Sequence, residues 1–265
     1  LAPQRCRQKS DGSGCIRELN MQHRMVGFEA GQVVLVTAGA SGIGRCIAET
    51  YLAHECRVHI CDVNREAVDA FLAANPSATA SLADVSDPRQ VEILFHDFGA
   101  NYDRLDILIN NAGVAGPTAA VEDISLEDWD RTVAVDLNGQ FYVTRLAVPL
   151  IKKAGRGSII NIASNAALFG FPLRSPYTAS KWAMIGLTKT WAMELGTSNI
   201  RVNALCPGSV KGDRIDSVII RDAQERGLAG GVRCAAAVPC RTGRRAGRRS
   251  AGSRARSASC RQPAT

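Results

Sequence analysis

The stretch Gln32-Val33-Val34-Leu35-Val36-Thr37-Ala38-Gly39-Ala40-Ser41-Gly42-Ile43-Gly44 decides the fold. Residues 32–36 read as a continuous apolar strand, the pattern of one buried on both faces between parallel neighbours. A turn of small residues follows, and a helical pattern opens at residue 42 and runs to 54. Working outward, further strands are expected at 57–61, 79–82, 106–110, 158–163 and 200–205. Helices are expected at 65–74, 88–102, 126–153 and 176–195, with an amphipathic one at 213–226. Pro88 suits the first turn of its helix, where no backbone donor is needed. Strands that alternate with helical stretches of this length imply right-handed crossovers and one parallel, doubly wound sheet.

The 265 residues, 46% hydrophobic and 22% charged, suffice for a single α/β domain with a full core. No apolar run nears the ~20 residues that cross a bilayer, and no signal-peptide core opens the chain. A cytoplasmic protein without a membrane partner is therefore expected. The formal charge of +7 is localised: residues 228–265 hold nine Arg and no Lys, Asp or Glu, so the rest of the chain carries −2. Such a tail could neutralise phosphates. No aromatic residue interleaves its arginines and no helical face forms, which favours a disordered or aberrant tail and no nucleic-acid partner. The domain plan is an extension outside the fold over 1–28, a folded domain over 29–227 and the Arg-rich tail over 228–265. The nine cysteines form no CxxC pair or His/Cys cluster, so no metal site is expected and the thiols read as free and structural.

Two motifs carry chemistry. In the turn, Thr37, Gly39, Ser41, Gly42, Ile43 and Gly44 would let the backbone pass close to a pyrophosphate resting on the helix amides and dipole. Glycine also serves tight turns for steric reasons alone, so the position between a buried strand and a helix gives the motif its weight. Asp62, eighteen residues past Gly44, ends the second strand, where a carboxylate can grip both adenosine ribose hydroxyls. It would repel a 2′-phosphate, which points to NAD rather than NADP; the alternative is a cap on the next helix. The second motif is Tyr177-Thr178-Ala179-Ser180-Lys181, with Ser164 thirteen residues upstream. Tyr177 and Lys181 lie one helical turn apart, and an ammonium beside a phenol favours the phenolate. A surface helix pair would show the same spacing. Ser164 stands just past the fifth strand, at the edge where such sheets bind ligands.

The segment 33–226, about three quarters of the chain, resembles the short-chain dehydrogenase/reductase family, with the motifs in the family's order. The resemblance implies a Rossmann-type fold in three layers. It also implies that Asn111, Ala112 and Gly113, from Asn110-Asn111-Ala112-Gly113, line the cofactor, with Asp84 and Val85 beside its adenine. Pro207, Gly208 and Val210 would flank the nicotinamide, and Tyr177 and Lys181 would contact it. The implied catalytic tetrad is Asn138, Ser164, Tyr177 and Lys181, acting on the CH–OH group of a small-molecule alcohol or on a ketone. Homo-oligomers would form through the helices over 126–153 and 176–195.

Two departures stand out. Ala38 occupies a position where the family usually has glycine; its methyl is accommodated if the backbone there does not require a positive φ. After residue 227 nothing resembles the family's seventh strand, so the last strand is expected to be missing and the sixth to be an open edge. Residues 166–173 are expected to wall the substrate pocket or to join the core. Residues 211–220 are expected to cover the pocket, with Arg214 facing a polar substituent. The competing functional reading is a dinucleotide-binding protein without turnover.

Overall fold

The computed structural model describes residues 29–225; the expected extension and the Arg-rich tail lie outside the described residues. Strand β1 (Val33–Thr37) leads into α1 (Gly42–Ala53), followed by β2 (Arg57–Asp62), α2 (Arg65–Ala74), β3 (Thr79–Leu82) and α3 (Pro88–Asn101). The second half contains β4 (Ile107–Asn110), α4 (Leu126–Val133), a π-helical turn (Ala134–Asn138), α5 (Gly139–Lys153) and β5 (Gly157–Ile162). It closes with α6 (Ser175–Leu195), β6 (Ile200–Leu205) and α7 (Asp213–Glu225). Local signals set several boundaries. Asn64 and Ser125 accept hydrogen bonds from the first-turn amides of α2 and α4, and Asp87 caps α3 ahead of Pro88.

All strand pairs are parallel, in the order β3-β2-β1-β4-β5-β6. The order reverses between β1 and β4, and a crevice opens beyond their carboxyl ends. Alternation along β1 builds two cores. Val34 and Val36 pack with Ala48, Tyr51, Val68 and Phe71 of α1 and α2. Val33 and Leu35 face the opposite layer, where Leu94, Val143, Ile151, Met184 and Trp191 come from α3, α5 and α6. Among the described residues β6 is an edge, burying Ile200 and Val202 while exposing Arg201 and Asn203.

Two expectations need correction. The helix expected over 126–153 is interrupted by the π turn, whose extra residue rotates the side chains that follow relative to a regular 3.6-residue repeat. Cys56, Cys61 and Cys206 are free thiols as expected, with burial pushing Cys61 up to about 12, but Cys46 is disulfide-bonded. Among the described residues no helix is long and apolar enough to cross a membrane, and no group of His, Cys, Asp and Glu could hold a metal.

Candidate active site

The glycine turn is shaped by contact. A side chain at Gly39 would stand 2.6 Å from Ile60, and one at Gly44 would stand 2.1 Å from the Ala38 carbonyl oxygen. At Gly42, which has φ +52°, nothing stands within 4 Å, so the start of α1 is open above that residue. Ser41 is the N-cap, but its hydroxyl caps no amide. Ala38 does adopt a positive φ, +48°, so the condition under which its methyl would be free of strain is not met.

Thr37 joins the two central strands. Its buried Oγ1 accepts the Asn111 and Ala112 amides, both at 2.9 Å. Asn111 returns its Nδ2 to the carbonyls of Thr37 and Ala38, at 3.0 and 3.1 Å. Asp62, at the end of β2, accepts the amides of Ala40 and Asn64, each at 3.2 Å. The carboxylate thus sits at the rim of the turn, and the side-chain cap of α2 comes from Asn64. Asp84 follows β3. Burial would raise its carboxyl, but hydrogen bonds from Ser86 and the Arg131 guanidinium hold it below the usual carboxylate range. Val85 is buried against Gly139, where an added side chain would stand 2.8 Å from Val85 Cγ2.

Across the crevice, Tyr177 and Lys181 occupy the first half of α6. Lys181 Nζ donates to the Ile162 carbonyl at 3.2 Å, two residues before Ser164, and lies 5.6 Å from the centroid of the Tyr177 ring. Ser164 is buried and begins the 3-10 turn Asn165–Ala167; its Oγ accepts the Ala166 amide and donates to Asn165 Oδ1, each at 3.2 Å. Gly113 reaches the same lysine, since a side chain there would stand 3.2 Å from Nζ. Residues from β1, β4, β5 and α6 therefore converge at the carboxyl edge of the sheet.

Asn138 does not join them. It lines an open groove with Leu137, Phe141, Ala183, Gly186 and Leu187, between α5 and α6. The π-turn residue that faces Lys181 is Asp136, fully buried, with Oδ2 3.5 Å from Nζ and Oδ1 accepting the Val114 amide at 2.6 Å. Arg174 was also missed. Its guanidinium lies 5.1 Å from the Tyr177 ring centroid and donates to the Ala115 carbonyl. A regular helical repeat cannot identify Asp136, and no local pattern distinguishes Arg174 from a solvent-facing arginine.

Beyond β6, the Pro207 carbonyl accepts the Asn165 amide at 3.0 Å, joining the Pro207–Val210 region to the Ser164 turn. Gly208 has no atom within 4 Å of an added side chain, so sterics alone do not require glycine there. The expected apolar wall divides: Ala166 and Ala167 are buried, whereas Leu168, Phe169 and Phe171 are exposed. The side chain of Arg214 lies outside the described residues.

The "short chain dehydrogenase" family pattern matches residues 32–220. Trans-4-hydroxycyclohexanecarboxylate dehydrogenase of Sinomonas cyclohexanicum is 41% identical, over 69% of this chain and 73% of its own length. Among solved structures, levodione reductase superposes with a TM-score of 0.71 at 30% identity, covering 75% of this chain and 80% of its own. NAD+-bound xylitol dehydrogenase superposes at 0.70 and 30% identity, covering 74% and 78%. The chain belongs to the short-chain dehydrogenase family of Rossmann-fold oxidoreductases.

Proposed function

We propose that this protein is a nicotinamide-dependent enzyme of the cytoplasm that interconverts a small secondary alcohol and a ketone, with Tyr177 as acid and base. The reading rests on the buried Lys181 ammonium, held on the Ile162 carbonyl beside Ser164 and 5.6 Å from the Tyr177 ring centroid.

The residues fit a dinucleotide. Gly39 and Gly44 leave no room for side chains, while the space above Gly42 leaves the α1 amides accessible to a pyrophosphate. Thr37, Ser41 and Ile43 complete that turn, and Asp62 would hold the adenosine ribose and disfavour a 2′-phosphate, making NAD the preferred form. Asp84 and Val85 would flank the adenine. Asn111, Ala112 and Gly113 would line the middle, and Pro207, Gly208 and Val210 the nicotinamide end. The related NAD+-bound xylitol dehydrogenase supports this cofactor class. When bound, the dinucleotide supplies or accepts the hydride.

The chain's own groups handle the proton and the charge. In oxidation, the Tyr177 phenolate takes the proton of the substrate hydroxyl; in reduction, the phenol returns it to the carbonyl oxygen. Ser164 turns its hydroxyl from Asn165 to the substrate oxygen and stabilises charge there. Lys181 keeps a cation beside the phenol.

A panel of secondary alcohols and ketones with NAD(H) tests the reading. Tyr177→Phe should lower kcat at least about a hundredfold on any accepted substrate while NADH affinity stays within about twofold. Undiminished turnover in that variant would remove the phenol from the mechanism. NADH binding by the wild type without turnover on any substrate would favour the binding-only reading. The expected protein partner is a second copy, since α5 and α6 expose Phe141 and Trp182 beside the groove that holds Asn138. Sedimentation of Phe141→Glu against the wild type would reveal whether that face pairs.

A further inference from the structure

Four of the five residues over 168–172 are apolar and exposed: Leu168 at 51%, Phe169 at 66% and Phe171 at 45%, with Pro172 beside them. Single exposed apolar residues are ordinary, but a cluster of them beside a ligand site marks a contact surface. This cluster follows directly on the 3-10 turn that Ser164 opens. Gly170 divides it, and a side chain there would meet nothing within 4 Å, so the cluster is open at its centre.

The segment is held in place at both ends. Leu173 adopts φ +63°, a left-handed conformation that leucine rarely takes and that its surroundings must enforce. Its carbonyl accepts the Ala119 amide at 3.1 Å, and the next residue, Arg174, donates to the Ala115 carbonyl. At the other end the Asn165 amide donates to the Pro207 carbonyl at 3.0 Å. The residues between are thus tied to the loop after β4 and to the segment after β6, next to Ser164 and Tyr177.

Residues 112–120 and 164–173 contain no ionisable side chain. Their polar side chains are Ser164 and Asn165, bonded to each other, and the buried Thr118. A carboxylate on the substrate would find no counter-ion in either segment, and the hydroxyls of a polyol would lose water against hydrocarbon without gaining partners. We propose that Leu168, Phe169 and Phe171 select the substrate: an uncharged secondary alcohol or ketone whose hydrocarbon body lies on them, in preference to polyols and hydroxy acids. This inference names the substrate class of the site read above and rests on that reading, so one arm of its test needs no turnover.

The first arm measures kcat/KM of the full chain with NAD on 2-propanol, cyclohexanol, inositol (the same ring hydroxylated at every carbon) and 4-hydroxycyclohexanecarboxylate. Cyclohexanol should exceed inositol and the carboxylate by at least about a hundredfold. Phe169→Ser, at an exposed position outside the core, should raise KM for cyclohexanol about tenfold and that for 2-propanol only about twofold, because the loss scales with the apolar area laid on the ring. Met193→Ser, an exposed apolar position near the end of α6, is the control and should change neither. The second arm titrates the neutral dye N-phenyl-1-naphthylamine by fluorescence: Phe169→Ser should weaken its binding about tenfold, and cyclohexanol should displace it. A preference for inositol or the carboxylate, or an unchanged cyclohexanol KM in Phe169→Ser, would overturn the proposal and leave the enzyme reading standing. Dye binding that depends on Phe169, without turnover on any substrate, would uphold the apolar surface and count against the enzyme reading. Neither turnover nor Phe169-dependent dye binding would overturn both.

Discussion

The two walls of the crevice bury different kinds of polar group. On the glycine-turn side, Thr37 and Asn111 bond to backbone, and behind β2 His59 is held between the Thr79 and Ser81 hydroxyls at 2.8 and 3.0 Å. On the tyrosine side, the neutral Ser164 and Ser180 are joined by three buried ionic groups, Asp136, Lys181 and Arg174, whereas the turn side buries the carboxylate of Asp62 among neutral groups. Neutral groups at hydrogen-bond distance make a wall whose shape depends on sterics and backbone geometry. Buried charges are costly to desolvate and sensitive to any change in their partners, so that wall can be tuned by a single substitution.

The largest expected effect breaks the glycine-turn wall. Gly44→Ala would set a methyl 2.1 Å from the Ala38 carbonyl oxygen and 2.5 Å from Asn111 Nδ2, and neither the backbone of the turn nor the Asn111 brace can give way cheaply. A stability loss of about 3 kcal/mol is expected, together with loss of NADH binding. Denaturant melts and a fluorescence titration would check it. A variant that melts like the wild type would show that the wall is softer than its contacts imply.

The second prediction concerns pH. Burial pushes His59 down from 6.5 to about 4, against the weaker opposing pull of Asp97. The unfolded chain therefore binds a proton that the folded chain refuses. The stability this refusal protects is complete above pH 6.5 and is lost as pH falls towards 4, to a total of about 3 kcal/mol. Thermal melts between pH 7 and 4.5 should show the loss, and His59→Gln should flatten that slope. An unchanged slope would mean that the acid sensitivity lies elsewhere.

This contrast also explains what could be read from the sequence. The apolar runs and small-residue turn gave the parallel sheet and its crossovers, because burial on two faces and close backbone approach restrict residue type. Tyr177 and Lys181 could be paired because four residues make one α-helical turn. Asp136 could not, because the π turn over Ala134–Asn138 breaks the regular helical repeat and the family resemblance pointed to Asn138 instead. Arg174 reaches the Ala115 carbonyl across a contact made by the fold, between the start of α6 and the loop after β4, and leaves no trace in local spacing.

A third, smaller effect sharpens the description of the first wall. Thr37→Val keeps the shape and removes the oxygen that accepts two amides, leaving the Asn111 and Ala112 N–H groups without that partner. About 2 kcal/mol should be lost, and Thr37→Ser should recover most of it. If valine and serine melt alike, packing rather than hydrogen bonding holds β1 to β4.

The smallest effect concerns Ala38. Its φ of +48° lies in the left-handed region, which costs an L-residue roughly 1–2 kcal/mol relative to glycine. Two terms work against simple relief on substitution. The Ala38 methyl packs against the core on the α3, α5 and α6 side, and glycine would give the unfolded chain more freedom, worth about 0.4–1 kcal/mol. The difference leaves Ala38→Gly more stable by less than about 1 kcal/mol, with NADH affinity unchanged because the carbonyl that meets Asn111 stays in place. A loss of stability would mean that the methyl's packing outweighs the backbone strain, making this wall better filled, though more strained, than one with glycine at this position.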